Sequence, residues 1–239
     1  LRAEVAAANA DLGIGFDGDG DRIGIIDGTG RQVPGDLLTA FLAKDVAARH
    51  PGAPILLDVK SSEAALRLVE SAGAAAQIWK TGHSYMKKRM KELEAPLAGE
   101  MSGHIFIADN YLGFDDAIYA AVRVITQMVK GGQSITEFMD SLPEQHATPE
   151  LRIDCPDTVK FDSVERIRAH VLSGHDAADV NSIDGVRVRS GDGWWLIRAS
   201  NTEAALVARA EAADRTALDR LLGDIETTLA AAGLDWKRP

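Results

Sequence analysis

Asp17, Asp19 and Asp21 alternate with glycine in FDGDGDR, residues 16–22, and crowd three like charges into one short loop. Carboxylates supply only oxygen ligands, and an oxygen-only set suits a hard cation such as Mg²⁺ better than zinc. Extended backbone advances about 3.3 Å per residue, which would part Asp17 from Asp21 by roughly 13 Å. Magnesium holds its ligands at about 2.1 Å. A loop that serves one ion must therefore curl, and Gly18 and Gly20 are the residues that take the backbone angles this needs. A calcium EF-hand does not fit. That loop wants glycine sixth and glutamate twelfth, and counting from Asp17 gives Arg22 and Gly28. A solvated acidic turn stays open on these residues alone.

Two further clusters could do chemistry. In GEMSGH, residues 99–104, Glu100, Ser102 and His104 fall at alternate positions, which turns them to one side of a strand-like loop. Acceptors and donors on one side suit a polyol with adjacent hydroxyls. An imidazole accepts or donates a proton near pH 7, so His104 is a candidate for proton transfer, against the plainer reading of a satisfied, partly buried histidine. In RASNTEA, residues 198–204, Arg198 offers paired donors to a phosphate, and Ser200, Asn201 and Thr202 add hydroxyl and amide groups. The plainer reading there is an ordinary polar hairpin turn.

These loops need elements to hold them. LRAEVAAANA reads as the end of a helix, and DLGIGF and RIGIID as strands on either side of the aspartates. A helix follows over 36–49, and then PILLDVK, SSEAALRLVESAG, AAQIWKT, GHSYMKKRMKELE and PLAGEMSGHIFI alternate strand, helix, strand, helix, strand, the last as one strand or two short ones. That order predicts a parallel sheet with helical crossovers, whose ligands sit at the carboxyl ends of the strands. Those ends are Lys60, then Thr81, Gly82 and His83, then the GEMSGH loop. Two helices, DDAIYAAVRVITQMVKGG and SITEFMDSLP, lead to EQHATPE, which reads as a linker. The remainder alternates short strands and helices and predicts a small α+β unit with an antiparallel sheet. The basic run KKRMK, residues 87–91, reads as a solvated helix face, and Trp194 and Trp195 as hairpin packing.

The 239 residues, 46% of them hydrophobic, support a buried core and two small domains more naturally than one. A net charge of −10 without a basic stripe argues against nucleic acid or an anionic membrane as partner. No apolar run reaches the roughly 18 residues of a membrane span, and no signal-peptide pattern is present. The single cysteine, Cys155, excludes an internal disulfide and suits a cytoplasmic location. An opening on Leu1 suggests a fragment or a processing boundary.

FDGDGDR, GEMSGH and RASNTEA, in that order and at this spacing, resemble the α-D-phosphohexomutase superfamily, in its phosphomannomutase/phosphoglucomutase branch. The resemblance implies the end of a second domain over 1–31, an α/β sugar-binding domain over 32–143 and an α+β phosphate-binding domain over 144–239. It implies that Asp17, Asp19 and Asp21 bind Mg²⁺, with the phosphate of a phosphoserine as a further ligand. By the same resemblance Glu100 and Ser102 grip sugar hydroxyls, and Thr81, Gly82 and His83 at the strand ends belong to the substrate-binding set. Arg198, Ser200, Asn201 and Thr202 take the non-reacting phosphate, although Ala204 stands where many members have proline. His104, Lys60 and Arg22 are the catalytic candidates. The implied activity interconverts hexose 1-phosphate and hexose 6-phosphate, of mannose or glucose. No serine here sits in the phosphoserine context, so the implied partner is the N-terminal half of the same enzyme, domains one and two. The alternatives are a non-catalytic fragment that binds Mg²⁺ and phosphosugar, and a haloacid-dehalogenase-like phosphatase with Asp17 as nucleophile and Asp19 as acid/base. The latter expects Thr or Val where Asp21 stands.

Overall fold

The computed structural model describes residues 1–238, which divide after Pro143 into two compact units. The first unit opens with α1 (Arg2–Ala8), β1 (Leu12–Phe16), β2 (Ile23–Asp27) and β3 (Gln32–Val33). The strands make a three-stranded antiparallel sheet in the order β1-β2-β3, with Phe16 opposite Ile23. The acidic loop is therefore a hairpin connection.

Next come α2 (Gly35–Arg49), β4 (Pro54–Asp58), α3 (Glu63–Ser71), β5 (Ala75–Trp79), α4 (His83–Leu93), β6 (Leu97–Gly99), β7 (Ile105–Ile107), α5 (Ala117–Gly131) and α6 (Ile135–Asp140). The sheet order is β5-β4-β6-β7; β4 runs parallel to β5 and β6, and β7 is antiparallel. Of the two readings of PLAGEMSGHIFI, one strand or two short ones, the fold shows the second, with a turn between β6 and β7. Helix α2 is apolar on most of its circumference, and Leu38, Ala40, Phe41, Leu42, Ala43, Val46 and Ala47 are all buried. Such a helix belongs inside a fold, and α2 packs on α3, α5, β4 and β6. Phe41 meets Phe138 of α6 edge to face at 5.2 Å. Removing a ring buried like that of Phe41 costs about 3–5 kcal/mol.

Helix ends follow side-chain chemistry. Ser62 caps α3 by accepting from the Ala65 amide, Asp116 caps α5 at Tyr119, and Ser134 and Glu137 form a reciprocal box at α6.

The second unit contains β8 (His146–Ala147), β9 (Leu151–Asp154), α7 (Lys160–Gly174), β10 (Val180–Asn181), β11 (Val186–Ser190), β12 (Gly193–Ala199), β13 (Ala205–Ala212) and α8 (Arg215–Ala231). Its sheet is antiparallel, ordered β10-β11-β12-β13-β8, with β9 also on β13. Trp195, Ile197, Leu206 and Ala208 face a core shared with Ile167, Leu221 and Ile225 of the two helices. The opposite face carries Trp194, with the Arg187 guanidinium 3.7 Å above its ring.

Two expectations need correction. EQHATPE is not simply a linker, because His146 pairs with Ala212 as part of β8. Two residues are too few to show the alternation that betrays a strand. The run 87–91 is not simply solvated either: Met90 is buried, Lys87 bonds Asp115, and the Arg89 guanidinium lies 4.3 Å from the Trp79 ring. Among the described residues, no helix is long and apolar enough to cross a membrane.

Candidate functional site

The acidic loop curls as its chemistry requires. The Asp17 amide donates to the Arg22 carbonyl at 3.3 Å, which closes the hairpin, and Gly20 takes φ +74°. Gly18 needs no left-handed angle. One carboxylate oxygen from each of Asp17, Asp19 and Asp21 then lies within 4.8 Å of the others. Arg22 donates to Asp17 through both its amide, at 3.1 Å, and its side chain. The side-chain bond lowers the Asp17 pKa to about 2. Burial raises that of Asp21.

The loop is tied to its neighbours by backbone. Ala117 donates to the Gly20 carbonyl at 3.1 Å, and Ile23 donates to the Gly103 carbonyl at 3.0 Å. Gly103 has φ +98°, and a Cβ there would stand 2.4 Å from the Ile23 carbonyl oxygen. Only glycine permits that approach. The 99–104 loop and the acidic loop are thus fixed to each other within the first unit.

Glu100, Ser102 and His104 converge, although through a turn and not through strand-like alternation. The Glu100 amide donates to the His104 carbonyl at 2.9 Å, and the Gly103 amide to the Glu100 carbonyl at 3.0 Å. His104 Nδ1 lies 3.2 Å from Glu100 Oε2 and 3.1 Å from Ser102 Oγ, and its Nε2 lies 3.4 Å from Asp21 Oδ2. Burial opposes charge on His104, but the bond to Glu100 and the charges of Glu100, Asp21 and Asp115 outweigh it and raise its pKa. Glu100 also accepts the Gly82 amide at 2.7 Å. Burial works against its ionised form, but the bonds from His104, Gly82 and Ser102 prevail and lower its pKa. Gly82 takes φ +129°, which explains glycine at that strand end.

The organising residue under the strand ends is Asp58, which sequence reasoning passed over. It is fully buried and accepts from Ser61 Oγ at 2.8 Å, Thr81 Oγ1 at 3.0 Å and the Met101 amide at 3.1 Å. Lys60 Nζ is 4.0 Å away. Burial raises the Asp58 pKa. One carboxylate therefore gathers all three strand-end loops, including Lys60, Thr81 and the turn bearing Glu100 and Ser102. His83, the first residue of α4, is half-exposed beside them, with its ring 6.0 Å from that of His104. Asp115, also passed over, is buried against His83 and Lys87, and one of its oxygens lies within 4.8 Å of ligand atoms of Asp21 and His104.

In the second unit, Arg198, the penultimate residue of β12, is almost fully buried. Its Nε donates to Asp184 Oδ2 at 3.0 Å, while Nη2 is buried with no hydrogen-bond partner among the described residues. Asp184 is a missed partner whose signal was the Asp-Gly pair opening a strand. Gly185 has φ +80°, and a Cβ there would stand 2.5 Å from the Arg198 Cβ. The Ser200 amide donates to the Ala205 carbonyl, and Ser200 Oγ accepts the amides of Thr202 and Glu203 at 3.3 and 3.1 Å. Asn201 and Thr202 project as the exposed tip of this turn.

Residues 34–146 match the family model for the phosphoglucomutase/phosphomannomutase alpha/beta/alpha domain III, and residues 150–228 match that for the phosphoglucomutase/phosphomannomutase C-terminal domain. The chain belongs to the phosphoglucomutase/phosphomannomutase family. It is 44% identical to a phosphomannomutase/phosphoglucomutase of Pseudomonas putida, over 96% of this chain and 49% of that protein. It is 38% identical to a phosphoglucomutase of Neisseria gonorrhoeae, over 92% of this chain and 48% of the relative. The crystal structure of a phosphoglucomutase/phosphomannomutase family protein from Burkholderia thailandensis superposes with a TM-score of 0.89 at 36% identity, covering 98% of this chain and 50% of that one. The chain thus spans about half the length of the curated relatives it matches. Membership in this family displaces the phosphatase alternative.

Proposed function

We propose that this chain is the sugar- and phosphate-binding half of a phosphohexomutase. In this reading the complete enzyme interconverts hexose 1-phosphate and hexose 6-phosphate, of mannose or glucose, through a phosphoserine and a bisphosphorylated sugar. The observation that carries the reading is the backbone join between two loops. The Ile23–Gly103 bond sets the three aspartates beside Glu100, Ser102 and His104.

The three carboxylates fit a hard divalent ion, because they offer only oxygen and their ligand atoms already lie within 4.8 Å of one another. When bound there, Mg²⁺ offsets their repulsion and polarises a phosphoryl group. The chain's own residues orient the sugar. Glu100 at Nδ1 fixes the His104 ring with Nε2 toward Asp21, 3.4 Å away, and Nε2 exchanges a proton with a sugar hydroxyl. Ser102, Thr81, Gly82 and His83 contact the remaining hydroxyls. Lys60 and Arg22 add positive charge beside the transferring group. The Arg198 guanidinium, whose buried Nη2 has no hydrogen-bond partner among the described residues, supports binding of the non-reacting phosphate together with Ser200, Asn201 and Thr202. Positioning and charge supply most of the catalysis in such transfers.

The phosphoserine belongs, in this proposal, to the part of the enzyme that the chain does not span. The protein is assigned to the cytoplasm, which keeps the buried Cys155 reduced. Alone, the chain binds phosphosugar without turnover. Completed to the length of its relatives, it converts glucose 1-phosphate or mannose 1-phosphate to the 6-phosphate, and Asp19→Asn slows that conversion by on the order of 100-fold. Full activity in the Asp19→Asn protein would refute the metal assignment. Failure of the completed protein to convert either sugar would refute the mutase itself.

A further inference from the structure

Lys87 belongs to a basic run that sequence assigns to solvent, yet its ammonium is engaged. Its Nζ donates to Asp115 Oδ1 at 2.9 Å and lies 3.2 Å from His83 Nδ1. Lys87 and His83 stand four residues apart on α4, one turn from each other on the same face. Asp115 is only 8% exposed, and it is fixed by a backbone bridge to Phe106 and by its place just before the cap of α5. The ammonium therefore has an anchor that does not move with α4.

An ammonium carries donors and no acceptor. Its hydrogen bond to Nδ1 needs a lone pair on that nitrogen, so the proton of the neutral ring belongs on Nε2. The competitor is Asp115 Oδ2, 3.4 Å from the same Nδ1, which would pull the proton the other way. That oxygen is buried and makes no hydrogen bond among the described residues. The approach of Nδ1 to that oxygen is thus not a hydrogen bond, whereas its 3.2 Å contact with Lys87 Nζ is, and this difference favours Lys87 as the partner of Nδ1.

We propose that Lys87, anchored by Asp115, is a positioning residue that holds His83 as the Nε2–H tautomer. The half-exposed ring then presents a fixed N–H donor to an oxygen of the ligand, a phosphate or a sugar hydroxyl. The ligand part of this statement rests on the function proposed above; the tautomer does not.

Nitrogen-15 long-range correlation spectra of the 239-residue chain, followed upward in pH until the ring signals stop moving, read the tautomer of the neutral ring directly. The expected pattern for His83 is an unprotonated Nδ1 and a protonated Nε2. In Lys87→Met, Asp115 becomes the partner of Nδ1, and the proton moves to Nδ1. In Lys87→Arg a cationic donor remains and the parent pattern persists. A protonated Nδ1 in the parent, or no change of tautomer in Lys87→Met, overturns the proposal without recourse to any variant that fails to fold. Glucose 1-phosphate added to the parent should shift the His83 Nε2–H signal. Absence of that shift, with the tautomer as expected, removes His83 from the substrate reading and leaves the role of Lys87 standing.

Discussion

Asp58 and Glu100 differ from Asp17, Asp19 and Asp21 in where their partners come from. Asp58 and Glu100 are almost wholly buried, and the protein supplies donors to both oxygens of each. A buried carboxylate left without donors costs several kcal/mol, and Asp58 and Glu100 avoid that cost because the fold brings donors to them. The loop aspartates are partly or fully exposed; Arg22 bonds Asp17, and His104 Nε2 lies 3.4 Å from Asp21 Oδ2. They are gathered by the turn and not by partners. Asp58 and Glu100 hold loops together from beneath, while the loop aspartates stay within reach of solvent.

Asp58→Ala breaks that comparison at its strongest point. It strands donors from Ser61, Thr81 and Met101 and should destabilise the first unit by about 3 kcal/mol. Asp19→Ala should leave stability within about 0.5 kcal/mol while abolishing Mg²⁺ binding. Urea unfolding followed by amide exchange in β4, with calorimetry of the metal, separates the two. Equal losses of stability in both variants would erase the distinction.

Gly103→Ala sharpens it next. The added Cβ strains a left-handed angle and meets the Ile23 carbonyl, at a cost of about 1–3 kcal/mol. Because that contact joins the two loops, Mg²⁺ affinity should fall as well. A variant with weakened folding but parental metal affinity would separate loops that the backbone bond is taken to unite.

A third carboxylate, Asp109, extends the scaffold class to acid. Burial opposes its ionisation, but hydrogen bonds from Arg49, His50 and Arg123 outweigh this and hold its pKa well below the usual carboxylate range. Its contribution to stability is therefore full above the unfolded value of about 3.9 and is lost as pH falls below it. The unfolding free energy should decline through that range, and Asp109→Asn should flatten the decline. An unchanged pH profile in the variant would show that Asp109 is not the group responsible. The smallest effect belongs to the second unit: Asp214→Ala removes the cap of α8 at the Ala217 amide and costs about 1 kcal/mol by thermal unfolding.

Much of the candidate site was legible because its residues are neighbours in the chain. The aspartates, Glu100 to His104 and Arg198 to Thr202 each lie within one short loop. Element order was also legible, since apolar spacing marks helices and strands. Asp58 was not legible, because its partners Thr81 and Met101 lie 23 and 43 positions away. Lys87 was misread because a lysine on a helix looks the same in sequence whether or not a buried carboxylate waits beside it. Strand β8 is too short to carry a pattern.

The sequence by itself determined which side chains lie together: three carboxylates on one glycine-spaced loop, Glu100, Ser102 and His104 on another, and Arg198 with Ser200, Asn201 and Thr202 on a third, each set encoded by near neighbours in the chain. Tertiary structure alone decided which groups are scaffold and which remain accessible. That division depends on burial and on donors brought from distant segments. The same carboxylate is a structural anchor when the fold surrounds it with N–H and O–H groups and remains accessible when the fold leaves it at the surface.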